Sequence, residues 1–187
     1  GKDILGGAIN VTAIIDNANI LREGQPIGRF WGYVENGYDN NGKVSYLDLD
    51  KDGSITEKDK TYIGDPNPDF IYGFTSNMSY KNFEFTFFLQ GTQGNDIFNV
   101  SSVNNTIDYG YGLNMPKDVY NNHWTPENTH AKYPVISRTT STKASNRWVE
   151  DGSYLRLKNI QLAYSFSGNN LGAKWLRNIQ VYLSGQN

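Results

Sequence analysis

The sequence predicts an all-β fold in which antiparallel strands are joined by short turns at one end and long loops at the other. Three observations lead to this prediction: an aromatic-rich composition, apolar residues at every second position, and connections of very unequal length. Of 187 residues, 37% are hydrophobic and 14% are aromatic, with 13 Tyr and 9 Phe. Aromatic residues favour half-buried strands, and the 19 Gly supply turns.

The clearest alternation lies at 70–91 and predicts a β-hairpin. From Phe70 to Tyr80 the even positions are mostly large and apolar, and the odd positions from Gly73 onward are mostly small or polar. The pattern resumes after a tight turn at Lys81-Asn82, with Phe88 as the exception. The apolar face then holds Phe83, Phe85, Phe87 and Leu89, and the polar face holds Glu84, Thr86 and Gln90. This period of two is typical of strands that separate an apolar from a polar surface.

A second hairpin is predicted at 154–183. The apolar residues of its first strand, 154–166, move from odd to even positions partway along. A one-residue bulge near Lys158-Asn159 would keep both halves on the same face. A turn at 168–170 and a short helical piece near 173–177 are expected to lead into a last alternating strand.

The other segments are less regular. Val11–Ile15 and Gly28–Val34 are each predicted to be strands, whereas 35–69 and 92–150 are interpreted as long loops. By strand alternation both loops leave the same end of the sheet. Short turns at one end and long loops at the other are typical of outer-membrane β-barrels, although soluble β-sandwiches can share the pattern.

Charge and missing residue types exclude several function classes. The formal net charge is −2, from 17 basic and 19 acidic residues, and no basic patch favours nucleic acid. The absence of Cys excludes disulfide scaffolds, thiol nucleophiles and Cys-based metal sites. No nucleophile elbow, phosphate-binding Gly loop or zincin helix is present. We therefore expect a protein that is not an enzyme.

The segment Asp48–Asp59 matches the twelve-position calcium loop of EF-hands. Carboxylates stand at positions one, three and five, Gly53 at position six permits a sharp turn, and position seven offers a backbone carbonyl. The last position holds Asp rather than the usual Glu. The predicted ligands are Asp48, Asp50, Asp52, Ser54 and Asp59. We expect a structural calcium ion that stiffens an external loop, and the alternative is a solvated Asp/Gly turn without metal.

A series of short motifs runs in order through most of 24–187. The series is Gly24-Gln25-Pro26-Ile27-Gly28, Trp31-Gly32-Tyr33, the Asp48–Asp59 loop, Ile63-Gly64-Asp65-Pro66-Asn67-Pro68, Tyr72-Gly73-Phe74, Gln90-Gly91, Gly94-Asn95-Asp96, Trp124-Thr125-Pro126-Glu127-Asn128, Val149 to Asn159, and Ser184-Gly185-Gln186-Asn187. On these residues the chain resembles the C-terminal part of the SusC/RagA family of TonB-dependent outer-membrane transporters, found in Bacteroidota.

The resemblance implies that 1–187 is a partial C-terminal segment of a 22-stranded transmembrane β-barrel in the cell outer membrane. The implied partners are TonB, a SusD-like surface lipoprotein, an imported oligosaccharide or peptide, and outer-membrane lipid against the Phe83 to Leu89 face. No catalytic residue carries over. The rival hypothesis is a soluble, secreted, calcium-stabilised β-sandwich that binds carbohydrate, which would need a second sheet covering Phe83, Phe85 and Phe87.

Overall fold

The computed structural model places the chain in two compact units. It describes residues 3–5, 8–11, 14–107, 114–137, 142–167 and 177–187. Unit 1 comprises Gly1–Asn67 with Asn95–Gly152, and unit 2 comprises Pro68–Gly94 with Ser153–Asn187. Strands dominate the described residues, and all pairings between their named strands are antiparallel, which confirms the predicted fold class.

Short elements make up most of unit 1 and long strands make up unit 2. The strands in chain order are β1 (Ile4–Leu5), β2 (Ala8–Val11), β3 (Ile14–Asn17), β4 (Asn19–Leu21), β5 (Arg29–Gly32), β6 (Glu35–Tyr38), β7 (Val44–Tyr46), β8 (Thr61–Gly64), β9 (Phe70–Tyr80), β10 (Phe83–Gln93), β11 (Asp96–Phe98), β12 (Val149–Asp151), β13 (Tyr154–Ser167) and β14 (Asn178–Gln186). The helices are α1 (Val100–Thr106) and α2 (Lys117–Asn121), with single 3₁₀ turns at Glu57–Asp59 and Asn146–Trp148. Among the described residues, no helix has the length and apolar character needed to cross a membrane.

Unit 2 is a four-stranded sheet in the order β14-β13-β10-β9. Both predicted hairpin pairings are confirmed, since β9 pairs with β10 across the two-residue turn at Lys81-Asn82 and β13 pairs with β14. Lys81 adopts a positive φ of 52° in that turn. The turn predicted at 168–170 lies outside the described residues, as does almost all of the helical piece predicted near 173–177.

The predicted bulge in β13 is confirmed at Lys158. Phe88 of β10 pairs with Asn159, and the next residue, Leu89, pairs with Leu157. Lys158 is therefore the extra residue of β13. Because it interrupts the strict alternation once, Leu157 lies on the same side of the sheet as Ile160.

The sheet of unit 2 has one apolar face and one polar face. Residues paired directly across strands share a face, so the registers assign each side chain. The apolar face comprises Phe70, Tyr72, Phe74, Met78, Tyr80, Phe83, Phe85, Phe87, Leu89, Leu155, Leu157, Ile160, Leu162, Tyr164, Phe166, Ile179, Val181 and Leu183, with Ser76, Gly91, Gln93 and Gly185 among them. Many of these side chains are exposed, including Phe74 at 56%, Leu162 at 47% and Leu183 at 78%. Phe88 lies on the polar face, as the exception in the sequence pattern requires.

A close approach between strands fixes one end of this sheet. The Tyr72 ring lies directly over Gly91, and its hydroxyl donates to the Tyr154 carbonyl oxygen at 3.3 Å. A Cβ atom on residue 91 would collide with that ring and with the same carbonyl oxygen. Tyr72 of β9 thereby reaches across β10 to β13, and glycine is the residue that leaves room for it.

Two β-strand predictions in the first 35 residues have different outcomes. The strand predicted at Gly28–Val34 is confirmed as β5. The single strand predicted at Val11–Ile15 is wrong, because Val11 ends β2, Ile14 begins β3, and the two residues pair with each other. A short apolar run does not distinguish one continuous strand from two that meet at a reversal.

The segments interpreted as long loops contain regular structure. Segment 35–69 holds β6, β7 and β8, and segment 92–150 holds β11, both helices and part of β12. Polar residues are common in loops, but they also begin helices. Asn99 does so for α1, since its side-chain oxygen accepts a hydrogen bond from the Ser102 N–H at 2.9 Å.

Unit 1 is held together by a small core and a partly buried ion pair. The core cluster comprises Ala18, Val103, Ile107, Ala144 and Trp148. Beside it, the Arg147 guanidinium donates to Glu35 Oε1 at 2.7 Å and lies 2.7 Å from Oε2, and the two side chains are only 16% and 12% exposed. The Ser145 hydroxyl also donates to Glu35 at 3.1 Å. These bonds join residues more than 100 positions apart in the chain.

We predict that Gly91→Ala lowers the free energy of unfolding by about 1–3 kcal/mol, the usual cost of overpacking. Gly185→Ala is the matched control on the same face, since its Cβ would meet only the Ile160 Cγ2 at 3.4 Å, an ordinary contact. Chemical unfolding of each variant in detergent measures its free energy of unfolding. Equal stability of the two variants would contradict the close approach at Tyr72.

Candidate metal centre

The predicted calcium loop lies between β7 and β8 in unit 1. The chain leaves β7 at Tyr46, passes through the Asp-rich turn, and forms the 3₁₀ turn Glu57–Asp59 before entering β8. Two residues of the loop have positive φ, Lys51 at 60° and Gly53 at 87°. The glycine at position six of the pattern is therefore in the conformation that the sequence predicts, one that glycine adopts without steric cost.

Three of the predicted ligands come together. Asp48, Asp50 and Asp52 each offer a carboxylate oxygen, and these oxygens lie within 4.8 Å of one another. Asp48 is half-buried and the other two are exposed. Asp50 also forms a long ion pair, in which Lys58 Nζ lies 3.7 Å from Asp50 Oδ2. Three converging carboxylates create a negative potential, which favours binding of a cation that prefers oxygen ligands.

Backbone donors hold the carboxylates in place. Asp48 accepts from the N–H of Lys51 at 2.6 Å through Oδ1 and from the N–H of Gly53 at 2.8 Å through Oδ2. Asp52 Oδ1 accepts from the N–H of Ser54 at 2.9 Å. Ser54 itself is exposed in the loop. These local bonds shape the turn so that the three side chains converge.

Asp59, the ligand predicted at position twelve, has a different environment. It is fully buried, and its carboxylate ties the two ends of the loop together. Oδ1 accepts from the Leu49 N–H and Oδ2 accepts from the Thr56 N–H, both at 2.7 Å. Thr56 and Asp59 form a reciprocal capping box on the 3₁₀ turn. Asp59 stands outside the group of three converging carboxylates, and its role as a calcium ligand stays a prediction.

The hydrogen bonds of Asp59 stabilise its charged form. The Thr56 N–H contributes most to lowering the pKa of this carboxyl, the N–H groups of Leu49 and Asp50 add to it, and burial opposes them. A carboxyl whose pKa is lower in the folded than in the unfolded state stabilises the fold above its unfolded pKa, about 3.9. That contribution is lost as the pH falls through the folded pKa.

The sequence pattern did not reveal how the loop is anchored to unit 1. Glu57 accepts from the buried Tyr33 hydroxyl at 3.2 Å and pairs with Lys60 Nζ at 2.9 Å. The Lys60 side chain is only 1% exposed, and its Nζ lies 5.3 Å from the centroid of the Tyr33 ring. The Thr56-x-x-Asp59 spacing is a capping signal that could have identified Asp59 as an anchor. The contact with Tyr33 has no such local signal.

We predict that Asp59→Asn lowers the melting temperature by several degrees at neutral pH in chelator, because an amide NH₂ would face backbone N–H donors. The melting temperature of the wild type should fall further than that of the variant as the pH falls below about 3.9, the unfolded pKa, and Asp59 becomes protonated. Asp52→Asn, at an exposed position, is the control for lost charge. A wild-type melting temperature in Asp59→Asn at pH 7 would contradict the anchoring role.

The curated proteins that resemble the chain all carry the name TonB-dependent receptor. The chain is 35% identical to TonB-dependent receptor P3 of Formosa agariphila over 185 residues, covering 90% of this chain and 18% of that protein. It is 37% identical to TonB-dependent receptor P26 of the same species over 148 residues, covering 78% and 15%. It is also 31% identical to TonB-dependent receptor SusC of Bacteroides thetaiotaomicron over 137 residues, covering 69% and 13%. The chain thus spans less than a fifth of the length of these relatives.

Solved structures share the fold. The RagAB peptide transporter superimposes with a TM-score of 0.76 at 23% identity, over 91% of this chain and 19% of that chain. The open-open state of the RagAB peptide importer gives a TM-score of 0.74 at 24% identity over the same shares. No family model matches the chain. The receptors matched over most of its length nevertheless agree, and the chain belongs to the SusC-type TonB-dependent receptors, of which it corresponds to a part.

Proposed function

We propose that the chain contributes strands to the transmembrane wall, and loops to the outer side, of a TonB-dependent importer in the outer membrane. The observation that carries this proposal is the sheet of unit 2, which exposes one continuous apolar face and carries polar residues on the other. Lipid-facing and lumen-facing residues alternate in this way along the strands of outer-membrane barrels. Glu84, Thr86 and Gln90 would line the lumen.

Strand length and connections support the same assignment. The four strands have 11, 11, 14 and 9 residues, and a tilted transmembrane strand needs about 9–11. Phe70 pairs with Gln93, and Tyr154 pairs with Thr92, so the long segments before β9 and after β10 leave the same end of the sheet. The two-residue turn at Lys81-Asn82 closes the other end. Long connections on the outer side and short turns on the inner side are the usual arrangement.

The exposed apolar face argues against the soluble β-sandwich. That alternative needs a second sheet over Phe83, Phe85 and Phe87. Phe83 is 49% exposed, and Phe85 and Phe87 are each partly exposed. A soluble protein rarely leaves so large a contiguous apolar surface in water.

Family membership supports a proposal for the substrate and the partners. We propose import of an oligosaccharide or peptide, captured with a SusD-like lipoprotein and energised through TonB, rather than catalysis. The relatives are named as receptors, and the solved structures are described as a peptide transporter and importer. The C-terminal position of the segment within the receptor stays a prediction.

We propose further that the Asp48–Asp59 loop binds calcium. The converging carboxylates of Asp48, Asp50 and Asp52 fit a hard cation with many oxygen ligands. The Ser54 carbonyl and Asp59 would complete the set that the sequence predicts. The ion would neutralise the three carboxylates and stiffen the connection between β7 and β8, and it would take no part in chemistry.

Arginine substitutions on each face of the sheet, one at a time, test the proposal that the sheet forms part of the transmembrane wall. Phe87→Arg should block assembly of the folded receptor in the outer membrane, because Arg at the lipid-facing midplane costs about 2–4 kcal/mol. Thr86→Arg, on the adjacent residue of the polar face, should assemble nearly as the wild type does. Heat-modifiable mobility of the receptor in membrane fractions measures assembly. An equal loss of assembled receptor in both variants would contradict the proposal that the sheet forms part of the membrane wall.

Uptake of labelled substrate tests the activity. Cells that rely on this receptor should accumulate a fluorescent oligosaccharide or peptide, and a protonophore should abolish accumulation because TonB-dependent transport needs the proton-motive force. Removal of the neighbouring lipoprotein should reduce uptake at low substrate concentration. Uptake that continues unchanged in a strain lacking TonB would contradict the proposal.

Calorimetry tests the calcium loop. We expect calcium to bind the wild type and to raise its melting temperature, and Asp48→Asn to weaken binding at least tenfold, about 1.4 kcal/mol. Asp39→Asn is the matched control, since Asp39 also accepts backbone hydrogen bonds in an exposed turn but lies outside the group of three. The absence of heat when calcium is added to the wild type, or equal calcium affinity of the two variants, would contradict the proposed calcium site.

A further inference from the structure

We propose that a cleft on unit 1 binds one sugar ring of an uncharged oligosaccharide. The cleft lies between the turn that follows β6 and the segment that follows α2, and its volume is about 350 Å³. That volume falls at the lower end of the range for small-molecule sites. The lining residues are Tyr38, Asp39, Asn40, Trp124, Pro126 and Thr129. The inference rests on the proposed import function, since it chooses oligosaccharide over peptide as the substrate.

Two hydrogen-bonded turns form the walls of this cleft. On one side the Asp39 N–H donates to the Lys43 carbonyl oxygen at 2.8 Å, and Asp39 Oδ1 accepts from the N–H groups of Asn41 and Lys43, both at 2.8 Å. On the other side the Asn128 N–H donates to the Thr125 carbonyl oxygen at 2.9 Å. The walls are therefore shaped by the protein's own bonds, and a ligand has less chain to order when it binds.

Trp124 gives the cleft an aromatic surface with fixed neighbours. Its backbone N–H donates to the Tyr133 carbonyl oxygen at 2.9 Å. Its indole lies against Gly42, where a Cβ atom would collide with the ring atoms Cδ2 and Cε3. The Trp124 side chain is half-buried, so part of the ring stays available to a ligand. A flat apolar ring of this kind packs well against the C–H groups on one face of a sugar.

Polar groups that can bind sugar hydroxyls stand beside this ring. Asp39 Oδ1 takes both backbone hydrogen bonds, and Oδ2 has no protein partner among the residues that the structure describes. Asn40 and Thr129 are exposed and add an amide and a hydroxyl to the lining. The three side chains together offer both donors and acceptors. Sugar hydroxyls suit such a set because each hydroxyl can donate one hydrogen bond and accept others.

The charges at the cleft disfavour charged ligands. Asp39 is the one charged residue among the six that line it, so an anionic ligand would be repelled. A cation would find the Tyr38 ring already occupied, because the Arg147 guanidinium lies 5.6 Å from the ring centroid and donates to the Tyr38 hydroxyl at 3.1 Å. That ring therefore attracts a second cation less strongly. An uncharged sugar avoids both restrictions.

Calorimetry on the purified receptor that contains this segment tests the cleft. The probes are hexasaccharides of glucose, mannose, galactose and xylose, a hexamer of galacturonic acid, and a hexapeptide without charged side chains. The cleft variants are Trp124→Ala, Asp39→Asn and Thr129→Val. Tyr120→Ala is the matched control, since Tyr120 is an aromatic residue of unit 1 that is 66% exposed and lies outside the cleft.

We expect at least one uncharged hexasaccharide to bind the wild type and Tyr120→Ala with equal affinity, and to bind Trp124→Ala at least tenfold more weakly. Thr129→Val should weaken binding several-fold, and its nearly unchanged shape keeps the test decisive if Trp124→Ala does not fold. Asp39→Asn should narrow the preference for the uncharged hexasaccharide over the galacturonic acid hexamer, because the substitution removes the repelling charge.

Equal hexasaccharide affinity of the wild type, Trp124→Ala and Thr129→Val would overturn the cleft while leaving the import function intact. Failure of every uncharged hexasaccharide to bind the wild type, or binding of the hexapeptide alone, would overturn the choice of oligosaccharide. The import function itself fails by a separate measurement, uptake that continues without TonB.

Discussion

Cross-strand register is the constraint on which the sheet of unit 2 depends. Because side chains alternate between faces, a shift of one residue would exchange the apolar and polar surfaces of a whole strand. The two-residue turn at Lys81-Asn82 fixes β9 against β10, and the extra residue Lys158 corrects β13 once. Without that correction, Tyr154 and Arg156 would replace Leu155 and Leu157 on the apolar face. One bulge therefore preserves an uninterrupted apolar face over four strands.

Unit 1 depends on a different kind of interaction, carboxylates whose oxygens are satisfied by nearby donors. Glu35 is bound by Arg147 and Ser145, and Asp59 is bound by the backbone N–H groups of Leu49 and Thr56. Its apolar core is small, so these polar contacts fix segments that are distant in the chain. The Asp48–Asp59 loop is accordingly shaped by protein hydrogen bonds, and the proposed ion would add rigidity to a turn that is already formed.

The sequence predicted those features that depend on local patterns. Alternation located β9, β10 and β13, a change of parity located the bulge, and the spacing of Asp48, Asp50 and Asp52 located three carboxylates that converge. Features set by distant partners were missed. The burial of Asp59, the contact of Tyr33 with Glu57 and the pair of Glu35 with Arg147 link segments whose proximity no local pattern encodes. The polar segments taken for loops contain strands and helices because caps and ion pairs also use polar residues.

The two outer strands of the sheet, β9 and β14, have a consequence for biogenesis. Within the part of the chain that the structure describes, each pairs on one side only, so its other side presents a row of unpaired N–H and C=O groups. In hydrocarbon each such group costs several kcal/mol. The sheet cannot enter a membrane with those edges open. In the wall assignment proposed above, insertion would therefore be coupled to pairing of β9 and β14 with further strands, and an edge left open would recruit other chains.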